Sequence, residues 1–386
     1  MLGQNARGCG KIFIWLIRYN YDKIIKVIIM KQIYAALEIN SQEIRILVGE
    51  YFNTRFNIIK LEAAVCEGIE DYRIVNHEKV KESVSKAIND ASKMLGAKIE
   101  KVILLIPPYN FKRYPLKVNV KTNNAYVSKA DAARAIQNAM HTKIDNDLTI
   151  INAVCVKYTV NGISSRRLPE KEISDELIVD IDLLCADKIL TFDYVSLLED
   201  IGIQIMDICM NIYAICKEAA LFEQTLNQNI VLVNVNHDST ELALLQKGKL
   251  VNAEILFDGF DSIVLPVQEK YHIAYATLSR LIKYNTSYDK EYIDDAIYAW
   301  VADDGNNISI NEQTLSNEVY MPLKKYIDKL VTSLKPILES HNTAIVVTGE
   351  LASMESFICL LSKECKASVK AYFPDTIGVR DSSLTA

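Results

Sequence analysis

The side chains best suited to hold an anion sit in two short polar turns, nearly two hundred residues apart. The first reads Glu38-Ile-Asn-Ser-Gln-Glu43 and the second Asn234-Val-Asn-His-Asp-Ser-Thr-Glu241. A turn that aims several backbone N–H groups at one point can cradle a phosphate-like anion. Ser41, Ser239 and Thr240 could add hydroxyl donors, or simply cap their own turns. His237 could add a positive charge when protonated, or stand in solvent. Asn40 and Asn236 are the non-glycine residues that best tolerate left-handed backbone, which keeps a close-approach turn open to both sites. Against binding, Asp238 puts a negative charge where the anion would lie, and a like charge at a few ångströms costs on the order of 1–4 kcal/mol. Glu38 is the candidate for a metal contact, whereas Asn234 at the matching place carries no charge for magnesium. No His/Cys group has metal-ligand spacing and no Ser-His-Asp set stands out. No catalytic residue is assigned, and the chain reads as a non-enzyme.

Each turn joins two apolar strands, Ala36 to Val48 and Leu232 to Leu245, and a third strand follows each pair. A strand-turn-strand unit repeated at this distance points to two related lobes. The 386 residues exceed one ordinary core. Strands alternating with helices call for α/β layers. Val80, Val84, Ala87, Ile88, Ala91 and Leu95 recur at helical spacing before Gly96. Ser128-Lys-Ala-Asp131 opens another helix as a loose capping box. The boundaries expected are an extension at 1–30, part of the first lobe at 31–101, a small α+β insert at 102–187, second-lobe core with a returning first-lobe helix at 188–260, a small subdomain at 261–330 and second-lobe core again at 331–386. The net charge of −6 gives no overall lure for nucleic acid. The eight scattered cysteines form no CxxC pair and read as buried free thiols in a reducing cytoplasm. Residues 1–30 are basic and apolar but too interrupted to span a bilayer. They are either a membrane-surface helix or sequence upstream of a true start at Met30.

From about Lys31 onward the chain resembles FtsA, the actin-like bacterial cell-division protein. Residues 36–48 look like that family's first phosphate turn, and 232–245 like its second. Ile255-Leu-Phe-Asp-Gly-Phe-Asp-Ser262 is similar to the step that follows, and Val346-Val-Thr-Gly-Glu-Leu-Ala352 to the adenosine-contacting strand and turn. Tyr372-Phe-Pro-Asp-Thr-Ile-Gly-Val379 resembles the closing segment. The resemblance implies a two-lobed fold of the actin, hexokinase and heat-shock-ATPase kind with a small insert in the first lobe. It implies a degenerate ATP site at Asn40, Ser41, Gln42, Asn236, His237, Ser239, Thr240, Gly349, Glu350 and Ala352, with magnesium, if any, at Glu38. The departures are chemical. The family's turn glycines are absent, Glu43 stands where it has Lys, and Asn234 where it has Asp, so ATP and magnesium binding is expected to be weak or absent. The implied partners are FtsZ, facing the small subdomain, and further copies in filaments, with peripheral contact at the inner face of the membrane. The family's C-terminal amphipathic anchor is not found before Ala386. An active ATPase of the same superfamily and a pilus-assembly adaptor that binds a membrane-protein peptide are the alternatives.

Overall fold

The computed structural model describes residues 32–52, 55–123, 125–288, 297–301, 307–338, 342–374, 376 and 385. The expectations for residues 1–30 and for much of the closing segment lie outside these. The strands run β1 (Gln32–Ile39), β2 (Glu43–Phe52), β3 (Arg55–Val65), β4 (Ile69–Glu70), β5 (Arg73–Ile74), β6 (Lys101–Ile106), β7 (Lys112–Lys121), β8 (Leu148–Val160), β9 (Ile163–Ser165), β10 (Glu176–Asp187), β11 (Gln204–Met210), β12 (Asn229–Val235), β13 (Thr240–Gln246), β14 (Lys249–Leu256), β15 (Ile297–Val301), β16 (Asn307–Asn311), β17 (Thr343–Gly349) and β18 (Ser368–Ala371).

Two five-stranded sheets repeat one topology. In the first the order is β3-β2-β1-β6-β11, and in the second β14-β13-β12-β17-β18. Each begins as an antiparallel meander and continues with two strands parallel to its first. Alternating apolar residues bury one face of each meander: Leu37, Ile39, Ile44, Ile46 and Val48 in the first lobe are all essentially inaccessible. The helix His77–Leu95 packs its Val80, Val84, Ala87, Ile88 and Ala91 stripe on the first core. Asn76 caps its start, and Gly96, at φ 65, ends it in the left-handed region. The second core joins its sheet to the helices Asp261–Tyr271, Tyr275–Tyr284, Glu312–Leu338 and Glu355–Cys365.

The insert is a sheet of order β7-β10-β8-β9 carrying the helix Lys129–Met140 and its own core of Val120, Ala135, Leu177, Val179 and Ile181. Ser128 and Asp131 do form a reciprocal capping box.

Three expected boundaries move. The insert does not begin at 102, because β6 is an inner strand of the first sheet; it begins with β7 at Lys112. The second-lobe core does not begin at 188, because β11 pairs in parallel with β6 and completes the first sheet; the second begins at Asn229. The break between 330 and 331 falls inside the continuous helix Glu312–Leu338, which runs through Pro322 and Pro336. The helices Asn211–Glu218 and Leu221–Gln224 are separated at Ala220, whose φ is 50. Cys66, Cys185 and Cys216 are buried free thiols as expected, but Cys359 is exposed. Among the described residues no helix is long and apolar enough to cross a membrane.

Candidate functional site

The register of the two meanders places both turns alike. Glu38 lies opposite Arg45 and Ile39 opposite Ile44; Asn234 lies opposite Glu241 and Val235 opposite Thr240. Each turn thus holds four residues led by an asparagine. The N–H of Asn40 donates to the carbonyl of Glu43 at 2.9 Å, and the N–H of Asn236 to the carbonyl of Ser239 at 2.8 Å. Neither asparagine has a positive φ. The left-handed geometry expected of them is therefore not used: a four-residue turn closes on its own N–H···O bond with ordinary backbone, and glycine's freedom is not required.

Charge dominates the first turn. Arg45 is buried at 7% exposure. Its guanidinium bonds Glu43, lies 3.6 Å from Glu38 and reaches 3.8 Å across to Glu350 of the second lobe. Glu350 also pairs with Lys283, and its Oε1 lies 3.8 Å from His237 Nε2. Gln42 donates its side-chain amide across the cleft to Asp261. Asp261 also accepts from the Tyr275 hydroxyl and lies 3.5 Å from His237 Nδ1. Burial alone would lower the His237 pKa, but the Asp261 hydrogen bond and the charges of Glu350, Asp261 and Glu43 outweigh it and leave it raised. Burial pushes the Asp261 carboxyl up, and the hydrogen bonds from His237, Tyr275 and Gln42 more than reverse this.

The second turn sits on a buried polar knot. Tyr72, from the β4–β5 hairpin of the first lobe, brings its hydroxyl to 2.8 Å from Ser239 Oγ and donates to Glu241 at 3.3 Å. Asn236 donates to that hydroxyl at 3.2 Å. The Glu241 carboxyl accepts from Asn211 at 2.7 Å and Asn234 at 3.0 Å, and Asn211 also donates to Glu38 at 3.3 Å. Full burial, reinforced by the Glu38 charge, pushes the Glu241 pKa up to about 7 despite those donors.

The structure brings Asn40, Ser41, Gln42, Asn236, His237, Ser239, Gly349, Glu350 and Glu38 to one interlobe cleft, but in altered roles. The Ser41 hydroxyl is buried with no hydrogen-bond partner. The Ser239 hydroxyl is committed to Tyr72. Thr240 leaves the set: its hydroxyl donates to the Asp258 carbonyl and meets Tyr326, inside the second core. Ala352 leaves it too, buried in the turn where its N–H donates to Gly349. Gly349, at φ 82, is needed for packing, since a Cβ there would lie 2.1 Å from the Val235 carbonyl oxygen. Gly259 closes on the second turn, where a Cβ would meet the Asn236 and His237 carbonyls at 2.6 Å. Arg45, Tyr72, Asn211, Glu241, Asp261, Tyr275 and Lys283 were missed from sequence. Arg45 and Glu241 left a local signal, each being two residues past its turn, as Glu38 and Asn234 are two before theirs.

Two lobes of one repeated topology, with facing turns between them, define the actin-like fold. Solved structures agree: a PilM–PilN type IV pilus biogenesis complex matches with a TM-score of 0.53 at 10% identity over 88% of this chain and 88% of that one. MreB5 of Spiroplasma citri bound to ADP matches at 0.52 and 11% identity over 92% and 93%. No protein-family model matches the chain. In sequence it is 22% identical to the cell division protein FtsA of Bacillus subtilis over 355 residues, 91% of this chain and 80% of the relative. It is 20% identical to that of Enterococcus hirae over 358 residues, 91% of this chain and 80% of the relative. The chain is FtsA-like, and divergent.

The donor set between the turns does not match a nucleotide. A triphosphate there would face Glu38, Glu43, Asp261 and Glu350, while Arg45, Lys283 and His237 each already have carboxylate neighbours. For magnesium, Glu38 is engaged by Arg45 and Asn211. Among the described residues no group of three or more His, Cys, Asp or Glu is placed to hold a metal ion.

Proposed function

We propose that this chain is a non-enzymatic cell-division scaffold of the FtsA kind, which links FtsZ filaments to the division machinery or the membrane. In this reading nucleotide binding is weak or lost, and the protein works in the cytoplasm or at the inner face of the membrane. The observation that carries it is the extent of the likeness, 91% of this chain against 80% of a cell division protein. The mismatch between the cleft and a triphosphate supports the loss of nucleotide chemistry. FtsZ would meet the small subdomain, where Tyr284 and Met321 stand exposed. Self-association into filaments belongs to the same reading. Co-sedimentation with FtsZ filaments tests it: wild type should pellet with them and Met321→Glu should pellet less. Failure of the wild type to pellet overturns the reading. Steady MgATP turnover would favour the active-ATPase alternative, and capture of an inner-membrane pilus subunit the adaptor alternative.

A further inference from the structure

In a two-lobed clamp a bound phosphate chain contacts both turns and so draws the lobes together. Here the chain's own side chains span that gap. Arg45 of the first lobe reaches Glu350 of the second at 3.8 Å, and the Gln42 amide donates to Asp261. Behind them Tyr72 joins the first lobe to Ser239 and Glu241, and Asn211 joins Glu38 to Glu241. The two partners of Arg45 closest to its own strand, Glu38 and Glu43, leave it tied to the first lobe. Its third carboxylate neighbour lies across the cleft, beside Lys283 and His237. Glu350 is held in turn by its backbone, whose N–H donates to the Val235 carbonyl at 2.7 Å just before the second turn. The bridge therefore connects one turn to the base of the other.

The geometry points to a built-in replacement for the nucleotide: Arg45–Glu350 and Gln42–Asp261 hold the two lobes closed with no ligand between them. This rests on the reading that nucleotide binding is weak or lost, and adds what stands in its place. The Arg45–Glu350 arm is buried, and buried ion pairs are screened far less by salt than exposed ones. The consequence is a closed state that does not follow nucleotide level.

The test is the interlobe distance. Spin labels attached through unnatural amino acids at Met94 and Glu269, both exposed and on different lobes, leave the native cysteines untouched. Wild type without nucleotide should give one narrow distance distribution, and saturating MgATP should leave it in place. Gln42→Ala with Glu350→Gln should broaden it and shift it to longer distance. Arg45 keeps Glu38 and Glu43 in that variant, so its buried charge stays paired. Gln42→Ala alone, at an exposed position, serves as the variant that keeps the fold, and should give a smaller shift in the same direction. A wild-type distribution that shortens with MgATP overturns the proposal, and so does one left unmoved by the double variant. FtsZ co-sedimentation and titration with a fluorescent ATP analogue, run on the same samples, report separately on the proposed function. Loss of FtsZ binding or tight analogue binding sinks that reading, while the distances alone decide the clamp.

Discussion

The two turns share a backbone and differ in chemistry. Both hold four residues, both begin with an asparagine, and both close on one N–H···O bond of 2.8–2.9 Å. The cross-strand pair beneath the first is Glu38 and Arg45, a carboxylate and a cation. Beneath the second it is Asn234 and Glu241, an amide and a carboxyl group with a raised pKa. The first turn therefore solves its charge problem by pairing, and the second by hydrogen bonds and partial neutralisation. Pairing reaches across the cleft to Glu350, with the Gln42 amide donating to Asp261 beside it, whereas the neutral solution keeps Glu241 at 0% exposure among amides and a phenol. One hairpin geometry thus accommodates opposite electrostatic designs, because the turn asks little of its side chains.

The largest expected effect breaks the first design. Arg45→Ala removes the cation from among Glu38, Glu43 and Glu350, two of them buried at 8% exposure. Glu350 keeps Lys283, but Glu38 is left with no cation, and leaving a buried charge unpaired costs about 3–5 kcal/mol. Chemical denaturation should show a fall of that size. A loss below about 1 kcal/mol, the range of exposed ion pairs, would mean that solvent reaches these carboxylates and that the two turns do not differ as described.

The second design should reveal itself in pH. Glu241 rises from an ordinary 4.5 to about 7 in the fold. Its contribution is complete below about pH 4.5 and is lost as pH rises through about 7. That rise is worth on the order of 3 kcal/mol. His237, also raised from its ordinary 6.5, acts in the same direction: its contribution is present below that value and fades as pH climbs. Asp261, lowered from 3.8, acts at the acid end, contributing above that value and losing its contribution as pH falls. Stability should be highest at about pH 4.5 and decline from there toward pH 8. Glu241→Gln, which keeps an acceptor for Asn211, should flatten most of the alkaline decline. Melting temperatures at pH 5.5 and 8 decide this, and an unchanged slope in the variant would remove Glu241 from the account.

What could be read from sequence follows from how local each feature is. The meanders, the helix His77–Leu95 and the capping box were legible because periodicity and capping act within a few residues. The repeat of strand-turn-strand units already pointed to two lobes. The insert start was misplaced because Val102 to Ile106 is an apolar run, and such a run does not say which sheet it joins. The contacts that define the cleft were hidden for a different reason. Gln42 and Asp261 are separated by 219 positions, and Tyr72 and Ser239 by 167. No periodicity links such pairs. Nothing in the sequence around Arg45 or Lys283 names the carboxylates that the fold places beside them. Thr240 looked like a phosphate donor because its hydroxyl follows the turn, yet the pleat directs it to Asp258 and Tyr326 in the core.

Tyr72 offers the finest comparison, because here the first lobe serves the second turn. Asp71 and Tyr72 form the two-residue loop between β4 and β5, with φ values of 47 and 64. Such loops favour Asn-Gly or Asp-Gly, since both central residues need positive φ. A tyrosine at the second place carries backbone strain of about 1–3 kcal/mol. Its surroundings account for its presence: the ring is 1% exposed, and the hydroxyl is the one group that joins Ser239, Asn236 and Glu241. Tyr194 fixes the strained turn from below by donating to the Tyr72 carbonyl at 2.8 Å. Tyr72→Phe keeps the ring and the strain but orphans the Ser239 hydroxyl and one donor of Asn236. The expected loss is about 1–2 kcal/mol in denaturant titration, with amide exchange at Asn236–Ser239 accelerated and that at Asn40–Glu43 unchanged. Equal acceleration in both turns would mean that Tyr72 supports the cleft as a whole; acceleration confined to the second assigns its hydroxyl to that turn.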